Sequence, residues 1–88
     1  MIEDKITISN KAGLHARAAA RLVEVVNKFE SQFEIGNQEK MVDGKSILSI
    51  MLLAASPGTV LDIRLDGNDE HEALSAIVEL VANKFDEE

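Results

Sequence analysis

The chain has 88 residues, carries 16 Asp plus Glu against 9 Lys plus Arg for a formal net charge of -7, and has no cysteine. The acidic balance argues against nucleic-acid binding and against docking on anionic lipid, and a chain without cysteine has no disulfide framework or thiol chemistry. The length suits one domain with one modest core, expected over residues 1–88; no apolar run is long enough to span a bilayer and no charged-then-apolar signal segment opens the chain, so a cytoplasmic location is expected.

Ile6 and Ile8 alternate with Lys5, Thr7 and Ser9, the period of a half-buried strand. Residues 10–14 read as a loop, with Gly13 giving the backbone latitude before His15. From Ala16 to about Phe29 the period changes. Ala19, Leu22, Val23 and Val26 form one apolar helical stripe, and Arg17, Arg21, Glu24 and Lys28 a polar one. Ser31 to Ile35 reads as a second strand and Glu39 to Val42 as a third, joined by a tight turn at Gly36-Asn37. Ser46 can cap a second helix. The run Ile47 to Ala55 is apolar nearly all round, so if Ile50 and Leu53 enter the core, Ile47, Leu48 and Met51 lie on the surface. Two readings stay open there: a partner-docking face, or a segment that is simply buried. Ser56-Pro57-Gly58-Thr59 is a turn. Leu61, Ile63 and Leu65 alternate with Asp62, Arg64 and Asp66, the clearest strand of the chain. Asp69 and Glu72 have capping-box spacing, and Leu74, Ile77, Val78, Val81 and Phe85 mark a long amphipathic helix before a tail, Asp86-Glu87-Glu88, expected to fray.

The order is βαββαβα. It predicts an α+β fold, an open-faced sandwich in which a four-stranded antiparallel sheet carries three helices on one face.

His15 is the first candidate for chemistry. It falls at or just before a helix N-terminus, where free backbone N–H groups and the positive end of the helix dipole receive an anion. Arg17, two residues on, brings a planar guanidinium suited to phosphate. A neutral imidazole can attack a phosphoryl donor and hold the group as a phosphoramidate. Taken alone this is weak, since an isolated loop histidine is usually just exposed. His71 reads as a solvated helix-surface residue: Glu70 and Glu72 are its neighbours, and adjacent helical residues do not converge on a metal. Ser46 is either an N-cap alone or also a modification site, with Lys45 supplying charge compensation for a phosphate. No Gly-rich nucleotide loop and no Ser-His-acid set is present, so no cofactor, no metal and no self-sufficient enzyme is expected.

The sequence resembles the HPr family, the histidine-containing phosphocarriers of the bacterial phosphotransferase system. Gly13-Leu14-His15-Ala16-Arg17-Ala18-Ala19-Ala20 is similar to the family's active-site motif, and Lys45-Ser46-Ile47-Leu48-Ser49-Ile50-Met51 to its serine-site motif. The resemblance covers essentially the whole chain. It implies that His15 accepts a phosphoryl group from enzyme I, charged by phosphoenolpyruvate, on its δ1 (pros) nitrogen, and passes it to an enzyme II A domain. It implies that Arg17 steadies the phosphate, that Ile47, Leu48, Met51, Ala20 and Glu24 dock partners, and that a kinase or phosphorylase acts on Ser46. A monomer with no turnover of its own is expected. Two alternatives are a regulatory carrier of the nitrogen branch and a regulatory binding module controlled through Ser46. The chain departs from the family at Ala18, where proline is most frequent, and at Glu24, where some relatives have a basic residue; the latter, with the acidity, points to a different partner preference.

Overall fold

The computed structural model describes residues 1–37 and 39–86. Four strands, β1 (Ile2–Thr7), β2 (Gln32–Asn37), β3 (Lys40–Asp43) and β4 (Val60–Asp66), form one sheet in the order β1-β4-β2-β3. Every neighbouring pair is antiparallel, with Ile6 opposite Leu61, Ile35 opposite Ile63 and Ile35 opposite Val42. Three helices, α1 (Ala16–Val26), α2 (Ile47–Leu52) and α3 (Glu70–Ala82), complete the βαββαβα order and the open sandwich expected from the alternation.

The alternating positions explain the layering. Ile6, Phe33, Ile35, Leu61, Ile63 and Leu65 point to one buried face. Ala19, Leu22, Val23 and Val26 of α1 and Ile77 and Val81 of α3 close on it. Lys5, Asp62, Arg64 and Glu34 line the other face, where Lys5 pairs with Asp62 at 2.5 Å and Arg64 with Glu34 at 3.1 Å.

Four expectations are corrected. Gly36 and Asn37 are not the hairpin turn: they belong to β2 and pair with Met41 and Lys40. The chain reverses after Asn37, whose side-chain oxygen accepts the N–H groups of Glu39 and Lys40 at 3.0 Å each. Gly36 is needed because a Cβ there would overlap the Lys40 carbonyl. The second correction is that Asp69 does not cap α3. Its carboxylate accepts the backbone N–H groups of Glu30 at 2.8 Å and Ser31 at 3.0 Å, together with the Ser31 hydroxyl. The Ser31 hydroxyl, then the Glu30 N–H, hold the Asp69 carboxyl below its ordinary range. Third, the last helix ends at Ala82, so Phe85 reaches the core from a short 3₁₀ turn, Lys84–Asp86, while Val78 faces solvent. Fourth, Asp86 is part of the closing 3₁₀ turn, and Arg21 of α1 bonds its carboxylate at 2.5 Å; Glu87 and Glu88 lie outside the described residues. Among the described residues, no helix is long and apolar enough to cross a membrane, and no group of three or more His, Asp or Glu could hold a metal ion.

Candidate functional site

His15 is the N-cap of α1. Its backbone is extended (φ -83°, ψ -176°), and its carbonyl accepts the Ala19 N–H at 2.8 Å as the helix begins. Its Nδ1 accepts the Arg17 backbone N–H at 3.2 Å. A backbone N–H can only donate, so Nδ1 carries a lone pair and the neutral ring holds its proton on Nε2. The ring is half-buried and Arg17 is exposed beside it. The imidazole nitrogen aimed at the orphan N–H groups of the first turn is therefore the basic one.

The preceding loop fixes that orientation. The Asn10 side chain, fully buried, donates to the Gly13 carbonyl at 2.7 Å, and the Gly13 N–H returns to the Asn10 carbonyl at 3.2 Å. Gly13 has φ +70°, and a Cβ on it would lie 2.6 Å from the Ala55 carbonyl oxygen. Leu14 is buried and its N–H donates to that same carbonyl at 2.9 Å. Sequence reasoning named Gly13 but missed Asn10 and Ala55. An asparagine three residues before a glycine was the only local signal for the first; the second is a long-range contact.

The Ala55 contact places the end of α2 against the His15 loop. Ser46 caps this helix, its Oγ accepting the Ser49 N–H at 3.2 Å. Ile50 is fully buried and Leu53 packs partly against the core, whereas Ile47, Leu48 and Met51 are exposed, which settles the surface reading of that run. Leu52, unmarked by the sequence reading, is the most exposed of the group at 71%, against 68% for Leu48. On α1, Ala20 and Glu24 are exposed. With Ser46 unmodified, Lys45 Nζ donates to the Phe29 carbonyl beyond the end of α1, at 2.9 Å. Ala18 is buried in the first turn of α1. His71 is exposed on α3.

These elements define an open-faced α+β sandwich with a half-buried histidine capping its first helix and an apolar short helix alongside. The family model described as the PTS HPr component phosphorylation site matches residues 2–83. The chain is 49% identical over 88 residues to a phosphocarrier protein HPr of Xylella fastidiosa, covering 100% of this chain and 99% of that one. It is 54% identical over 84 residues to one of Pseudomonas aeruginosa, covering 94% and 93%. The crystal structure of HPr-C-His from Thermoanaerobacter tengcongensis superposes with a TM-score of 0.93 at 46% identity, covering 100% of this chain and 99% of that one. The chain belongs to the HPr family of phosphocarrier proteins of the bacterial phosphotransferase system.

Proposed function

We propose that the chain, as one phosphocarrier domain over residues 1–88, accepts a phosphoryl group on Nδ1 of His15 from enzyme I and passes it to an enzyme II A domain. The observation that carries this reading is the Nδ1 lone pair held at the N-terminus of α1 by the Arg17 N–H at 3.2 Å. In the transfer, that lone pair attacks the phosphorus, the N–P bond forms, and the bond from phosphorus to the donor breaks. The Arg17 N–H then turns from Nδ1 to a phosphoryl oxygen, the helix dipole favours the added charge, and the Arg17 guanidinium can pair with it. No second catalytic group is needed, so the chain turns nothing over without its partners. Both partners meet His15 from the side of α2, where Ile47, Leu48, Met51 and Leu52 offer apolar surface and Ala20 and Glu24 of α1 flank it. A monomer in the cytoplasm suffices for such a carrier.

Ser46 is the proposed regulatory site. A phosphate there brings a charge of about -1.5 to -2 to a surface that starts at Ile47 and Leu48, and it opposes docking by desolvation and repulsion. Because Lys45 donates to the Phe29 carbonyl, compensation from that side chain requires it to leave that carbonyl.

A relay assay tests the reading. With phosphoenolpyruvate, enzyme I and an enzyme II A domain, phosphate reaches the A domain only when this chain is present, and His15→Ala abolishes the transfer. Transfer that survives His15→Ala contradicts it.

A further inference from the structure

Asn10 is fully buried although it belongs to neither β1 nor α1, and Lys11 and Ala12 directly after it are exposed. Burying a polar side chain costs free energy unless it is hydrogen-bonded, and an apolar residue would fill the same space without that cost. The use of Asn10 lies in one peptide unit, the one between Gly13 and Leu14. The oxygen of that unit accepts from Asn10 Nδ2 at 2.7 Å and from the His15 N–H at 3.0 Å. The N–H of the same unit donates to the Ala55 carbonyl at 2.9 Å. One peptide plane is thus held at both ends, by a side chain at its oxygen and by a distant backbone at its nitrogen. The bond from the His15 N–H spans only Leu14 and closes a three-residue turn, so the direction of the Gly13 carbonyl passes straight to the backbone of His15. Gly13, at φ +70°, resists rotation of its peptide less than a residue with a Cβ does. The plane therefore needs an anchor on its oxygen, and Asn10 supplies it.

We propose that Asn10 is a positioning residue for phosphoryl transfer: by fixing the Gly13 carbonyl it sets the His15 backbone so that Nδ1 lies on the Arg17 N–H at the start of α1. The inference rests on the carrier reading and names the residue that holds its nucleophile in register. An amide suits the task, because it donates without carrying a charge into the buried loop; an ionised aspartate of the same shape has no proton to give. Asn10 stands outside the apolar core cluster, and the exposed apolar residues Ile47, Leu48, Met51 and Leu52 belong to α2. Loss of the anchor therefore acts on the geometry of His15 and not on partner docking.

Asn10→Leu keeps most of the volume and removes the donor; Asn10→Ala is the second variant should the first not fold. Ile77→Ala, at a fully buried position on α3, is the control that costs stability without touching the loop. Transfer from phosphorylated enzyme I is followed in single turnovers over a range of chain concentrations, and rates are referred to the folded fraction. The ring nitrogens of His15 are observed by 15N NMR at about pH 8, where the imidazole is neutral. In the Asn10 variants the maximal rate falls about tenfold or more while the half-saturating concentration stays within about twofold, as expected when a reacting group loses its geometry. The unaltered chain shows a lone pair on Nδ1 and the proton on Nε2, and the Asn10 variants move toward a mixture of the two tautomers. Ile77→Ala changes neither readout. An unchanged maximal rate or unchanged ring signals in a folded Asn10 variant, or the same losses in Ile77→Ala, overturn the inference while leaving the carrier reading intact. If the unaltered chain takes no phosphate from enzyme I, the carrier reading falls, and the role of Asn10 with it.

Discussion

The Leu14 N–H donates to the Ala55 carbonyl at 2.9 Å, joining the residue before His15 to the segment that follows α2. Gly13 makes this approach possible, since its φ of +70° and missing Cβ let the loop lie against that carbonyl. Gly13→Ala should therefore lose about 1–2 kcal/mol for the left-handed backbone alone, and more from a Cβ placed 2.6 Å from a backbone oxygen. Urea unfolding measures the loss, and phosphotransfer to the folded fraction should fall with it as His15 is displaced.

The two sides of α2 should separate stability from docking. Ile50 is fully buried, so Ile50→Ala should cost about 2–5 kcal/mol in urea unfolding. Leu48 and Leu52 are mostly solvent-exposed, so alanine at either should change stability by no more than about 0.5 kcal/mol. The same two substitutions should raise the KM for enzyme I.

Much of this was legible in the sequence, because the signals were local and repeated. The alternation of Leu61, Ile63 and Leu65 and the stripe Ala19, Leu22, Val23 and Val26 each describe one face of one element, and those faces are buried. Ser46 as a cap was equally local. What could not be read was the use of a side chain by a distant element. Asp69 had the spacing to cap its own helix and instead binds Glu30 and Ser31, 39 and 38 residues away in sequence. Lys45 reaches the Phe29 carbonyl, and Asp86 is bonded by Arg21. Leu52 looked like one more apolar residue of a short helix, and only the packing of Ile50 decided which side stayed outside.

Ser46→Ala should lose about 1 kcal/mol by removing the oxygen that accepts the Ser49 N–H. Ser46→Asp keeps a capping oxygen, so its stability should stay near the unaltered value while its KM for enzyme I rises with the added negative charge. Paired urea and transfer measurements on the two variants distinguish loss of the cap from added charge.

Ala54 ends α2 with φ +50° and an exposed side chain. Glycine is at ease in that conformation, so Ala54→Gly should stabilise the protein by about 1 kcal/mol. Thermal unfolding at constant buffer would record the gain as a raised Tm.

Asp69 should make stability depend on acid. Its carboxyl titrates lower in the folded chain than in the unfolded one, chiefly through the Ser31 hydroxyl and then the Glu30 N–H. Its contribution is therefore fully present above the unfolded value of about 3.9 and is lost as pH falls below that through the folded value. Asp69→Asn should have a lower urea midpoint than the unaltered chain at pH 7, with the gap closing in this acid range.

The most direct test of His15 as the phosphoryl acceptor is intact mass after incubation with phosphoenolpyruvate and a bacterial enzyme I, before and after brief acid treatment. One added phosphate that acid removes, absent in His15→Ala, is the expected result. A folded chain that gains no phosphate, or a phosphate that persists in acid or in His15→Ala, would contradict it.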